Sequence, residues 1–225
     1  MGGGVMSTRG EITIESLRRK YLKLINRPDV SEEEVHQFLV EYPVFIPAWF
    51  PYENTIFSKL NLGNQHTVDF AHARTNTPGA TWHLIEIEKP QDLLFTKAGN
   101  PTAKLTHAMR QLQDWHGWFI EERDFVFRRF PHQSFMREAG LWKPELWLVM
   151  GRRASVADSD RRLLQRLNEG SIIIKTFDRL ADHAAWPTCD RSKPLRCCSY
   201  VNGRIEVISE MKMNISYSVT PKRGV

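Results

Sequence analysis

Residues His83 to Asp92 read HLIEIEKPQD, a run that begins as a buried strand and ends in charge. Side chains alternate along a strand, so Ile85 and Ile87 face one way and Glu86 and Glu88 the other. Pro90 closes the pairing, which predicts a strand over residues 81–88. Two like charges buried side by side cost several kcal/mol unless something offsets them. A divalent cation is one such partner. Asp69, on the preceding predicted strand, adds a third carboxylate, and the Ile87 carbonyl lies between the two glutamates. Asp69, Glu86, Glu88 and the Ile87 carbonyl make a hard, all-oxygen donor set of the kind Mg²⁺ or Mn²⁺ prefers. The alternative is an exposed edge strand whose glutamates meet water, with Asp69 opening a turn.

Working outward, "NTIFSKLNL" and "HTVDFAHA" read as a hairpin around Gly63-Asn64, placing Val68 and Phe70 opposite Asp69. Before it, Ile14, Leu17, Tyr21 and Leu24 fall at the spacing of one helical face, and Ser31 with Glu34 forms a capping box that opens a second helix. After it, residues 101–122 are the longest helix candidate, with Leu105, Ala108, Met109, Leu112 and Phe119 as the apolar stripe and Trp115 at its margin. "LWLVMG" and "SIIIKTF" read as strands buried on both faces, separated by a helix over residues 158–167 and followed by a short helix at "DRLADHA". A last hairpin turns at Asn202-Gly203, the pair best suited to a type I′ turn. The order describes an α/β sandwich whose mixed central sheet is antiparallel at one side and parallel at the other, flanked by helices, plus a C-terminal hairpin. Residues 1–30 read as a flexible leader with a short helix, and 31–225 as one domain.

The 225 residues suffice for one sizeable domain. No stretch approaches the ~20 apolar residues that cross a bilayer, and the glycine-rich start has no signal-peptide core. Three cysteines, Cys189, Cys197 and Cys198, fit a reducing cytoplasm better than a disulfide framework. With His183 they are an alternative zinc set, but one without C-x-x-C pairs. Asn214-Ile-Ser216 spells a glycosylation acceptor without meaning in a cytoplasmic protein. The formal net charge of +5 favours a polyanionic partner. Arg128, Arg129, Arg152, Arg153, Arg161, Arg162 and Arg166, then Arg191, Lys193 and Arg196, make the second half denser in positive charge; ordinary solvated faces are the alternative.

"TVDFAHA", "WHLIEIEKP" and "LTHAMRQLQDWHGW" together resemble the PD-(D/E)xK nuclease core, in which an Asp on one strand and a Glu-x-Lys on the next carry catalysis. With "FLVEYPVFI" before them and "LWLVMGRR" and "RRLLQRLNEGSIIIKTFDRLA" after, they are similar to the C-terminal nuclease domain of the Shedu anti-phage defence family over Glu32 to Ala185. The resemblance departs in two places. Val68 stands where a proline is usual, and Glu88 stands at the family's catalytic lysine, with Lys89 following on the opposite strand face unless Pro90 lets it swing.

What the resemblance implies is a restriction-endonuclease-like fold and metal-assisted hydrolysis of DNA. Asp69 and Glu86 would hold the metal, Glu88 would bind a second metal or accept a proton, and Lys89 is the other candidate for the lysine's role. Gln111 and Trp115 resemble a Gln-x-x-x-Tyr element in which the amide steadies the site and the aromatic lies near nucleic acid; core packing is the alternative for Trp115. Arg152, Arg153, Arg161 and Arg162 are the candidate phosphate contacts. Glu34 and Glu41 are outside candidates for a further ligand, and His66, His72, His83 and His107 are read as structural. Related defence proteins are multimeric, so a homo-oligomer is expected. The alternative functions are a catalytically silent relative that binds nucleic acid or a partner, and an interaction protein with a fortuitous acidic cluster.

Overall fold

The computed structural model describes residues 13–48, 51–76, 79–132, 143–185, 189–190 and 192–212. The leader, Trp49, Phe50, Pro78, Arg191 and the 214–216 acceptor lie outside them. Seven strands form one sheet: β1 (Thr55–Leu62), β2 (His66–Asn76), β3 (Gly79–Ile87), β4 (Glu145–Val149), β5 (Ile172–Lys175), β6 (Leu195–Val201) and β7 (Arg204–Met211), in the order β5-β4-β3-β2-β1-β6-β7. β1, β2 and β3 are an antiparallel meander, and β3, β4 and β5 run parallel. The expected division into an antiparallel and a parallel side is incomplete. β6 pairs in parallel with β1, so the C-terminal hairpin extends the sheet instead of standing apart from it.

The helices among the described residues are α1 (Ile14–Ile25), α2 (Glu32–Glu41), α3 (Ala103–Glu121), α4 (Arg123–Arg129), α5 (Arg161–Leu167) and α6 (Phe177–Ala184). Ser31 and Glu34 cap α2 reciprocally, with bonds of 3.1 and 2.9 Å between each backbone N–H and the other's side chain. Asn202 and Gly203 both have positive φ, +51° and +78°, as the turn of β6 and β7 requires. Helix α4 follows α3 almost without a break, in a stretch the sequence presents only as basic and proline-containing.

The sheet has a core on each face. Phe57, Leu60, Trp82, Leu84, Leu146 and Leu148 meet Leu105, Leu112 and Trp115 of α3 on one face. Ile56, Phe70, Ile85, Ile87, Trp147 and Val149 meet α1, α2 and α6 on the other. Ile14, Leu17, Tyr21 and Ile25 of α1 belong to this second core, so the boundary drawn at residue 30 falls inside it.

Besides the register shift between β6 and β7 at Cys197 and Cys198, strand alternation fails where β1 meets β2, and that point prepares the site. Phe57 and Leu60, three residues apart on β1, both face α3; on β2, Val68 and Ala71 do the same. Lys59 and Asp69, which sit across from each other between the registered pairs Ser58↔Phe70 and Leu60↔Val68, absorb the reversal. Lys59 takes a left-handed φ of +50° to do so. Beyond the pair Phe70↔Ile85 the ladder between β2 and β3 stops, and the strands part with Asp69 at the fork.

Candidate active site

Asp69 replaces the missing ladder. Its Oδ2 accepts the backbone N–H of Ile87 at 2.9 Å, while its Oδ1 receives the Lys59 ammonium at 2.5 Å. Because N–H and C=O of one strand residue face the same neighbour, the Ile87 carbonyl also opens toward the fork. Ile85 and Ile87 are buried on the α1 side, which turns Glu86 and Glu88 toward α3 as alternation requires.

Glu86 is 8% exposed and Glu88 4% exposed, so neither sits on a solvated edge. Glu86 Oε1 accepts from Gln111 Nε2 at 2.7 Å, and Oε2 is buried with no partner among the described residues other than the Asp69 carboxyl beside Glu86. Burial first, and then the neighbouring Asp69 charge, pushes the Glu86 carboxyl up to about 10. Glu88 instead forms an ion pair with Lys104 of α3, Nζ to Oε2 2.6 Å, and its backbone N–H donates to Val149 O at 2.9 Å. Both flanking lysines keep their protons more firmly than usual. For Lys104 the Glu88 contact is the main cause; for Lys59 burial works against the charge, and Asp69 outweighs it.

Glu32, in the first turn of α2, is the fourth acid of this neighbourhood. Burial, then Asp69 and Glu88, raise its carboxyl, which shows that it feels both charges. Glu34 is occupied by its capping box and by Arg27 at 2.8 Å, and Glu41 is exposed at the far end of α2. Sequence reasoning therefore missed Lys59, Lys104 and Glu32. The signal for Glu32 was its place beside the cap, which delivers the first turn of α2 to the mouth of the fork. Lys89 lies past β3 in an exposed turn, its backbone N–H on Asp92 Oδ2 and its carbonyl accepting Asp92 and Gly151 N–H groups. Gly151 has φ +68°, and a Cβ there would stand 2.7 Å from Asp92 O, so only glycine lets the end of β4 close on this turn.

Among the described residues, no three His, Cys, Asp or Glu side chains are grouped so as to hold a metal ion as they stand. Lys59 and Lys104 occupy two of the three expected carboxylates. The donors nonetheless suit a hard cation in kind: an orphaned buried carboxylate oxygen on Glu86, the Asp69 carboxylate and a strand carbonyl, all oxygen. The cysteine alternative gathers nothing comparable among the described residues, since Cys197 and Cys198 lie in the cores on opposite faces of the sheet.

A family model for the C-terminal part of the Shedu protein SduA matches residues 29–181. The chain belongs to the Shedu family. The matched segment carries every side chain of the fork, from Glu32 to Gln111, while α1 and the β6–β7 hairpin lie outside it. No curated protein matches the chain. No helix among the described residues is long and apolar enough to cross a membrane.

Two expected nucleic-acid contacts of this Shedu chain are corrected by burial and pairing. Trp115 is fully buried in the α3 core and offers no face to a base. Arg152 is a staple: it grips Asp178 with Nε and Nη2 at 3.1 and 2.9 Å, and Nη1 reaches Ile25 O and Asn26 Oδ1 at the end of α1. Arg153 pairs with Asp182 and Arg161 with Asp158, both on the surface, where such pairs are weak and exchangeable. Arg162 is exposed.

Proposed function

We propose that this Shedu chain is a metal-dependent nuclease that hydrolyses DNA phosphodiester bonds in anti-phage defence. The observation that carries the reading is Glu86: a buried carboxyl with one oxygen unpartnered, held by Gln111, beside Asp69 where two strands part. Such a group costs stability and is retained where a cation uses it. Asp69, Glu86 and the Ile87 carbonyl would hold Mg²⁺ or Mn²⁺, which when bound polarises a phosphate and lowers the pKa of water. Gln111 orients Glu86, and Ile87 N–H fixes Asp69. DNA is the proposed substrate; self-assembly rests on the family resemblance alone.

The ion pairs of Lys59 and Lys104 favour a second reading, a silent relative whose carboxylates are neutralised without metal. Incubating the protein with linear, circular and single-stranded DNA, in Mg²⁺, Mn²⁺ or chelator, separates the two. Cleavage that chelator stops is expected. DNA binding without cleavage under every condition would establish the silent relative instead.

A further inference from the structure

We propose that Lys104 is the catalytic lysine of this site, delivered from α3 instead of β3, and that Glu88 is the positioning residue that holds it. The inference rests on the nuclease reading. The strand position expected to bear lysine bears Glu88, yet an ammonium still arrives there, 2.6 Å from the Glu88 carboxylate. The Glu88 side chain is 5% exposed and that of Lys104 47%, so the carboxylate forms the floor and the ammonium stands between it and the solvent. A substrate entering the fork meets the lysine first.

The placement of Lys104 is costly for the helix and well anchored. A cation in the first turn of a helix opposes the macrodipole, so α3 gains nothing from lysine there. The start of the helix is nevertheless fixed. Thr102 Oγ1 accepts the Leu105 N–H at 3.2 Å and donates to Leu93 O at 2.8 Å, and Thr102 N–H donates to Leu94 O at 3.0 Å. Lys104 and Gln111 are seven residues apart on one face of α3, and they reach Glu88 and Glu86 respectively. One helix thus serves both acids of the strand.

Lys59 does not fill this role. Its ammonium lies on Asp69, a proposed metal donor, so metal and Lys59 compete for one oxygen, whereas Lys104 sits on an acid outside that set. Lys89 is exposed beyond the strand end. In hydrolysis the water oxygen bonds to phosphorus, and the bond to the leaving oxygen breaks with its electron pair on that oxygen. The water gives up one proton and the leaving oxygen takes one up. The phosphate gains negative charge on the way, and a fixed ammonium beside it stabilises that state more than the ground state.

The test compares wild type, Asp69→Ala, Lys104→Ala and the double variant Glu88→Lys/Lys104→Ala, which returns an ammonium to the strand. Cleavage rate, Mn²⁺ affinity by calorimetry and melting temperature are measured for each. Lys104→Ala is expected to cleave on the order of 100-fold more slowly, the usual loss for one preorganised charge donor, with Mn²⁺ affinity unchanged and a lower melting temperature from the unpaired Glu88 carboxylate, the rate being compared per folded molecule. The double variant is expected to regain about tenfold or more over Lys104→Ala, a rescue that a merely structural lysine would not give. Cleavage by Lys104→Ala at the wild-type rate, or a double variant no faster than Lys104→Ala, overturns the inference and leaves the nuclease reading intact. A wild type that binds Mn²⁺ but cleaves no DNA overturns both.

Discussion

β2 and β3 each carry two buried titratable residues three positions apart, and the sheet treats the two pairs in different ways. Asp69 and Glu86 lie at the fork beside Lys59 and Gln111. His72 and His83 lie on the α1 side, their rings stacked 4.4 Å apart and 7° from parallel against Trp147. Burial takes His72 down to about 3, and burial followed by His72 takes His83 well below its ordinary value, so both rings are neutral. Nearby, Lys175 rests 3.7 Å from the centre of the Trp147 ring, its pKa lowered to about 8 by burial. The imidazole pair solves burial by shedding charge; at the fork Glu86 holds its proton, while Asp69 takes the Lys59 ammonium on one oxygen and the Ile87 N–H on the other. Under the proposed nuclease function only the fork would exchange Lys59 and the Glu86 proton for a metal, and in that the two clusters on the same strands would differ.

The largest expected effect falls on the carboxyl pair alone. Asp69→Ala and Glu86→Ala should each abolish metal-dependent cleavage; metal-free Glu86→Ala should melt no lower than wild type, because it removes a desolvated carboxyl, whereas Asp69→Ala strands Ile87 N–H and should cost about 1–3 kcal/mol. Strong metal-free destabilisation by both would make them structural. The neutral pair should respond in reverse: His72→Ala/His83→Ala empties packed volume and should cost about 2–5 kcal/mol in denaturant unfolding. Its cleavage rate per folded molecule should not change; a loss would join the two clusters functionally.

Arg152→Ala should destabilise by about 2–4 kcal/mol, since it strands Asp178 and two acceptors at the end of α1. Its salt-dependent DNA binding should stay at the wild-type level, and a weakened DNA complex in fully folded protein would return Arg152 to the interface. The pH dependence of the metal-free protein gives a finer test. Folded Glu86 holds its proton to about 10, whereas the unfolded chain releases it near the ordinary 4.5. This contribution is therefore complete below pH 4.5 and lost as pH rises toward 10. In chelator, Glu86→Gln should match wild type in melting near pH 4.5 and exceed it increasingly up to pH 9; parallel curves would mean Glu86 is already ionised. The smallest effect belongs to Arg162→Ala, expected to flatten the salt slope of DNA binding by about 0.9. An unchanged slope assigns it to ordinary surface.

The sequence shows most clearly what depends on local periodicity. The two glutamates of β3 turn away from Ile85 and Ile87, Ser31 caps α2 with Glu34, and Asn202-Gly203 turns the last hairpin, because each follows from neighbours within four residues. Asp69 was also legible, being the one acid amid apolar strand residues. The lysines were not. Lys59 and Lys104 resemble ordinary surface residues until three-dimensional packing sets their ammonium groups on buried acids. Arg152 and Trp115 misled for the converse reason: an arginine in a basic run reads as surface, and only the fold shows Asp178 and the end of α1 closing around it. Nor does any local pattern reveal that β1 and β2 reverse their faces at Lys59 and Asp69, or that β6 finds β1.

That parallel pairing of β6 with β1 has a consequence for biogenesis. Thr55 registers with Arg196, so the outer edge of β1 waits for 141 further residues before its partner exists. At a synthesis rate of about 5–20 residues per second, the wait is on the order of ten seconds. The meander of β1, β2 and β3 needs only short loops and forms first, presenting an unpaired strand edge throughout that interval. The nascent chain is thus most open to edge-to-edge association after β2 and β3 have paired and before the β6–β7 hairpin leaves the ribosome.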